Sequence, residues 1–320
     1  MSNSTDLRLA ELHDSLRLGI HKGAGKKVRL PSTGKSKKGI TAATKANNLR
    51  TALKQITQKH PEVMVKISGG GRGMKHAKNH ITYISRRGEL DLTDQDGNVV
   101  NGKAEVKELL KEWQTSGSFI PEESQRKEVF NMIFSMPRNT PPEAVLESVK
   151  ALAKEEFANN DYVMALHTYD TDPDPKPSPN PHVHLAVKAR GYDGKRLNPR
   201  KTDLRRYRES FAENLRENGV DAVATSRAQR FVQEKRPTQA IKHILERGDT
   251  PTTQGRVSSD EVIARAKKTQ LEILDSYREV VKTLAKSNLE DRELAVDLAK
   301  TLFGGEGRDV VMERGGDDRE

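Results

Sequence analysis

Apolar positions along the middle of the chain follow two rhythms. One is the short continuous run bounded by turn residues that marks a buried strand, seen at 63–67, 129–136, 162–169 and 182–188. The other is the three-to-four-residue spacing of a helix with one packed face. Met74, Ala77, Ile81 and Ile84 keep that spacing, so a helix is predicted over 74–87 and stopped by Gly88. Helices are also predicted over 44–58, over 103–115 with the only tryptophan, Trp113, and over 203–218 ahead of Gly219. Thr140 and Glu143 have the spacing of a capping box, with Pro141 and Pro142 opening a helix to about Phe157. Residues 68–73, with four glycines, read as a loop. Five prolines in 170–181 exclude helix or central strand there, so the strands on either side are predicted to pair antiparallel. The fold class expected is α/β (α+β): a mainly antiparallel central sheet flanked by helices.

Towards the C-terminus, Ser258 and Glu261 have capping-box spacing before a charged helix to about Lys286, and another helix is expected over 290–303. The domains expected are a basic, largely flexible arm (1–60), a catalytic domain (61–237), a linker (238–257), a helical extension (258–303) and a disordered tail (304–320).

Composition narrows the class. The 320 residues include no cysteine, which removes disulfides, thiolate zinc sites and cysteine nucleophiles together. No apolar stretch approaches the ~18 residues of a membrane span, and the start lacks a signal-peptide pattern. A cytoplasmic location without membrane insertion is therefore expected. The net charge of +10 is unevenly placed: residues 1–60 hold 13 Lys and Arg against 3 Asp and Glu, and the rest of the chain balances. Such an arm either binds nucleic acid through phosphate contacts or serves as a solubilising leader.

Four features carry candidate chemistry. His182 and His184 are two apart on a predicted strand and so project from one face, with His167 at the end of the preceding strand. Three neutral imidazoles with open positions make a catalytic-type metal site, although surface histidines on strands are also common. On the helix over 74–87, His76, His80, Tyr83 and Arg87 share a face distinct from the apolar one. A tyrosine there is either a nucleophile or half-exposed packing material, and Tyr162, Tyr169, Tyr192, Tyr207 and Tyr277 compete for the role. The glycine run matches no nucleotide-binding signature; it is a plain turn or lets backbone amides approach a phosphate. The stretch 188–236, with 14 basic and 7 acidic residues, either follows a phosphate backbone (Lys195, Arg196, Arg200, Lys201, Arg205, Arg206) or is a solvated face.

Taken in order, these features resemble the conjugative relaxases of the MOBP class, within the His-hydrophobe-His endonuclease superfamily, and are similar to the T-DNA border relaxase. Asn79-His-Ile-Thr-Tyr-Ile-Ser-Arg-Arg-Gly-Glu-Leu90 resembles the family's tyrosine motif, Ser135-Met-Pro137 its serine motif, and His167, Asp170, His182 and His184 its His-x-Asp…His-x-His motif. Ala224-Thr-Ser-Arg-Ala228 resembles a further stretch. The aspartate stands three residues after His167 instead of two, which makes Asp172 a rival to Asp170. The resemblance implies Tyr83 as nucleophile, Asp170 as the acidic residue orienting His167, and a divalent ion (Mg²⁺ or Mn²⁺) on His167, His182 and His184. It implies DNA contacts from Ser135, Arg86, Arg87, Lys188, Arg190 and Arg227. The activity implied is metal-dependent nicking of single-stranded origin-of-transfer DNA through a 5′-phosphotyrosyl adduct. Relaxosome accessory proteins and a type IV secretion coupling protein are the implied partners, with export of the DNA-bound protein. A rolling-circle replication initiator and a non-catalytic basic DNA-binding accessory protein are the alternatives; in the former the tyrosine usually follows the His-x-His.

Overall fold

The computed structural model describes residues 4–18, 41–58, 60–225, 241, 244–245, 247–250 and 260–303. In chain order the elements are α1 (Ser4–Leu18), α2 (Ala42–Thr57), β1 (Met64–Gly71), α3 (Met74–Ile84), β2 (Leu92–Asp94), β3 (Val99–Val100), α4 (Gly102–Thr115), β4 (Val129–Ser135), α5 (Pro142–Glu156), β5 (Tyr162–His167), β6 (His182–Lys188), α6 (Lys201–Glu217), α7 (Asp260–Ala285) and α8 (Leu289–Phe303). They fall into two compact units, one from residues 60–224 and one from the two ends of the chain. No helix among the described residues is long and apolar enough to cross a membrane.

The unit of residues 60–224 is built on one six-stranded sheet of order β1-β4-β6-β5-β2-β3, antiparallel at every pairing. Because side chains alternate along a strand, β4, β5 and β6 each supply two faces. Phe130, Met132, Phe134, Met164, Val183, Leu185 and Val187 point one way and pack under α5 and α6, where Phe134 meets Phe211 edge-on at 5.4 Å. Val129, Val163, Ala165 and Ala186 point the other way, under the apolar faces of α3 and α4. His182 and His184 share the parity of Ala186, so they extend this second face to the end of the sheet that α3 only partly covers.

Several expectations change. The glycine run is largely strand: β1 continues to Gly71 because β4 supplies its ladder, through a register shift between Ile67 and Gly69. A side chain at Gly70 would come within 2.9 Å of the Val129 carbonyl, so glycine is required for this pairing. The hairpin β2–β3 escaped the hydrophobic pattern because Asp94, Gln95, Asp96 and Asn98 dominate it. Its turn is set by the Asp94 carboxylate, which accepts from the backbone amides of Asp96 and Asn98. The Thr140–Glu143 capping box is not formed; Pro141 is the N-cap of α5 and makes no side-chain cap bond. Ser258, the expected cap of α7, lies outside the described residues.

The segment read as a flexible arm contains two helices. Leu9, Leu12 and Leu16 of α1 and Ala46, Leu49 and Leu53 of α2 pack with Tyr277, Val280, Val281 and Leu284 of α7 and Leu294 and Leu298 of α8. Arg50 grips Asp291 with two hydrogen bonds of 2.8 and 2.9 Å and reaches Asp6 at 2.8 Å. Counting charge hid the leucines at helical spacing. The Lys-rich stretch 22–38 lies outside the described residues.

Gly73 sets the entry of α3. Its φ of +102° is a conformation that glycine adopts freely, and a Cβ there would lie 2.3 Å from the Glu122 carbonyl oxygen. Gly97 has a similar φ of +87° but open space around it. Gly73→Ala is therefore expected to destabilise the unit of residues 60–224 by about 2 kcal/mol or more, and Gly97→Ala by only about 1 kcal/mol. Chemical unfolding of the two variants checks this; equal losses would show that the Glu122 contact sets nothing.

Candidate active site

Antiparallel register brings residues distant in sequence into rows. Ser135 of β4 is paired with His182 of β6, and His182 with His167 of β5. The next row on the same face is Ile133, His184 and Ala165. The three imidazoles therefore converge, with ring centroids 4.7 to 5.1 Å apart and one nitrogen from each within 4.8 Å of the others. His167 and His184 are buried and His182 partly so.

The rings are held from outside. The His167 Nδ1 faces Asp172 Oδ2 at 2.9 Å, and the His182 Nδ1 faces the Asn180 carbonyl at 2.9 Å. Each of these nitrogens donates to its acceptor in the tautomer that leaves a lone pair on Nε2. The His167 Nε2 lies 2.7 Å from the Ile84 carbonyl, so a neutral ring faces two acceptors with one proton. A cation beside Nε2 relieves that mismatch. Burial pushes the imidazoles of His167 and His182 below their usual value, outweighing the Ile84 and Asn180 carbonyls. Burial and then the neighbouring histidines push His184 down to about 2. Neutral, buried, converging imidazoles are a donor set that fits a divalent metal ion.

The aspartate beside His167 is Asp172, and the assignment of Asp170 is corrected. A turn follows β5, with the Asp172 amide donating to the Thr168 carbonyl at 3.1 Å and Thr168 and Thr171 hydroxyls bonded at 2.7 Å. This turn leaves Asp170 exposed and folds Asp172 back under the ring. Burial alone would raise the Asp172 pKa, but hydrogen bonds from Arg86 and the Asp174 amide, with the charge environment, hold it well below the usual carboxylate range.

Arg86 comes from the other side. It grips Asp172 through Nε at 2.7 Å and Nη2 at 2.9 Å, with Asp174 at 3.3 Å. Its backbone and that of Arg87 have φ of 49° and 61°, rare for residues with side chains, and Gly88 follows at 89°. Each such arginine costs of order 1–3 kcal/mol. The reversal is fixed by buried Ser85, whose hydroxyl donates to the Thr82 carbonyl and accepts from the Gly88 amide. A Cβ on Gly88 would lie 2.6 Å from Gly102. The sequence Ser85-Arg-Arg-Gly88 thus turns the chain so that Arg86 reaches back to the histidine hairpin.

Tyr83 is 55% exposed on the last turn of α3. Its ring stands edge-on to His184 at 6.2 Å between centroids, and the Arg86 guanidinium lies 4.8 Å from its centre. The rival tyrosines stand elsewhere. Tyr162, Tyr207 and Tyr277 are buried, and Tyr192 bonds Asp161 near the other end of β6. Tyr169, exposed, lies against Arg138.

Not every expected DNA contact lies here. Lys188 is buried at the far end of β6, paired with Asp161 at 2.7 Å and donating to the Ser116 carbonyl. At 1% exposure it offers no surface to DNA. Arg190 is exposed but lies beyond that same far end, bridged to Arg196. Arg227 lies outside the described residues, as does most of 224–228. Four of the six basic side chains singled out in this stretch are paired: Lys195 with Asp193, Arg196 with Glu128, Arg205 with Glu209 and Arg206 with Glu156. The first amides of α3 are also engaged, Met74 with the Pro121 carbonyl and Lys75 with that of Glu122.

Two outcomes follow. Asp172→Asn is expected to weaken Mn²⁺ binding roughly 10-fold or more, and Asp170→Asn to leave it unchanged, by isothermal titration calorimetry; the reverse order would restore Asp170. In metal-free protein the buried histidines stay neutral where the unfolded chain takes up protons, so the unfolded state binds more protons below its usual value of ~6.5. Stability is therefore lost as pH falls from ~6.5 toward 4. The melting temperature in EDTA checks this, and a flat profile would mean that the rings titrate freely.

Residues 83–220, from the tyrosine to just past the end of α6, match the family model described as relaxase, MobA/VirD2-like, nuclease domain. Searches of curated proteins and of solved structures gave no match. Five of the six strands and the histidine cluster lie inside the matched segment, so this part of the chain is similar to the nuclease domain of MobA/VirD2-like relaxases.

Proposed function

We propose that this domain nicks one strand of single-stranded origin-of-transfer DNA by transesterification, with Tyr83 as nucleophile. The observation that carries the reading is an exposed tyrosine edge-on to one member of a buried three-histidine cluster. Tyr83 Oη forms a bond to the scissile phosphorus, the bond to the 3′ oxygen breaks, the phenol proton leaves to solvent or a neighbouring base, and the departing oxygen takes up a proton. The products are a 5′-phosphotyrosyl adduct and a free 3′-OH. The ester retains the bond's free energy, so rejoining needs no nucleotide cofactor. His167, His182 and His184 would hold a divalent ion, Mg²⁺ or Mn²⁺, which when bound supplies Lewis-acid charge to the phosphate oxygens. Asp172 orients His167, and Arg86 adds fixed positive charge beside the phenol where negative charge develops. In this reading Ser135, a buried residue in the row of His182 and His167, contacts the strand at the nick.

The surface around Tyr83 supports a single strand as substrate. One groove is lined by Tyr83, Arg86, Arg87 and Pro173; a second, lined by Arg72, Lys75 and His76, meets it at Asn79. Together they follow the exposed side of α3 for about 16 Å. Arg72 and Arg87 form no ion pair among the described residues, which leaves their charge for phosphates. Tyr169 and Arg138, just beyond the same ends of β5 and β4, offer a stacking surface for a base. In this reading the protein acts in conjugative transfer or mobilisation, together with relaxosome accessory proteins and a type IV secretion coupling protein. It works in the bacterial cytoplasm and leaves with the strand it carries.

Tyr83→Phe is expected to abolish the covalent adduct while single-strand binding stays within about threefold. A labelled origin oligonucleotide with Mn²⁺, run on a denaturing gel, reads the adduct; an adduct formed by the variant at the wild-type level would reject the assignment.

A further inference from the structure

Among the described residues, three buried side-chain polar atoms lack a hydrogen-bond partner: His80 Nε2, His184 Nδ1 and Asn131 Oδ1. All three lie where α3 covers the second face of the sheet, since Asn131 is paired with Ala186 and Ile133 with His184 on β6. Folded interiors leave such atoms unpaired only where strain, function or a bound species accounts for them.

The pattern around the histidine cluster accounts for two of the atoms. His167 turns its Nδ1 to Asp172 and His182 turns its Nδ1 to the Asn180 carbonyl, so in both rings Nε2 is left for the metal. His184 alone has no such outer acceptor. The ring beside it on α3 is His80, edge-on at 6.2 Å between centroids, and Nε2 is the His80 atom left without a partner. Metal-ligating histidines almost always give their second N–H to an acceptor, which fixes the tautomer and raises the basicity of the ligating nitrogen.

We infer that His80 is the outer partner of His184: its Nε2 accepts the Nδ1–H of His184, through one bridging water or after a small rotation of either ring, when the cluster holds a metal ion. The inference rests on the three-histidine metal site of the proposed function. His80 is thus a positioning residue. It lies one turn before Tyr83 on α3, so the same contact that orients the ligand also fixes the tyrosine's helix against the cluster. Asn131, half-buried on the same face two residues before Ile133, has its Oδ1 enclosed without a partner.

The test compares Mn²⁺ binding to the full chain by isothermal titration calorimetry for wild type, His80→Leu and His80→Gln, with the metal-free melting temperature as the check on folding. Leucine fills the site without an acceptor, whereas glutamine keeps one in its side-chain carbonyl. His80→Leu is expected to bind Mn²⁺ roughly 10-fold more weakly, with His80→Gln recovering most of the loss and both melting near the wild type. Equal affinity in wild type and His80→Leu overturns the inference, as does a glutamine variant as weak as leucine. Wild-type protein that binds no Mn²⁺ removes the metal site itself, and the inference falls with it. Should His80→Leu fail to fold, the glutamine variant decides: near-wild-type affinity supports the acceptor, and a 10-fold loss overturns it.

Discussion

The Arg86–Asp172 ion pair is the contact on which the arrangement of the site depends. It joins the turn after the tyrosine helix to the loop between the two histidine strands, across 86 residues of sequence. Asp172 is almost fully buried and Arg86 partly buried, and removing the arginine would leave a buried carboxylate charge at a cost of up to about 3–5 kcal/mol. The carboxylate serves two sides at once, with Oδ1 on the Arg86 Nε and Oδ2 on both the guanidinium and the His167 ring. Arg86 in turn flanks the Tyr83 ring. Tyrosine, arginine, aspartate and histidine are therefore one connected unit. The left-handed backbone at Arg86 and Arg87 is the strain that this unit sustains.

The sheet supplies what the ion pair cannot, the convergence of the histidines. In an antiparallel sheet, residues paired across strands share a face, so a single register brings Ser135, His182 and His167 into one row. A slip of one residue would turn all of them into the opposite core of Phe130, Phe134 and Leu185. That core fixes the register, and through it the geometry of the three histidines. The opposite end of β6 uses its polar residues differently: Lys188 there is a structural anchor buried with Asp161.

Much of this was legible in the chain. The apolar stripe of α3 and the continuous runs of β4, β5 and β6 are strong local signals, and the His-x-His spacing alone places His182 and His184 on one face. The neighbouring of His167 follows from the proline-rich connection. What the chain conceals depends on long-range or local geometry. Whether Asp170 or Asp172 reaches His167 is decided by a turn closed through the Thr168 carbonyl and the threonine hydroxyls. The positive φ of Arg86 has no signal beyond the Gly88 two residues on. The role of Lys188 reverses because Asp161, 27 residues earlier, is its partner. The basic excess near the N-terminus masked Leu9, Leu12 and Leu16, which pack with helices from the other end of the chain.

On the proposed function, His167, His182 and His184 form a single metal centre beside Tyr83. Anomalous diffraction from crystals of the full chain grown with Mn²⁺ tests it most directly. One ion is expected, ligated by the Nε2 atoms of all three histidines, with Asp172 still on the Nδ1 of His167. An ion bound elsewhere, or a histidine cluster without anomalous density at saturating Mn²⁺, would contradict it.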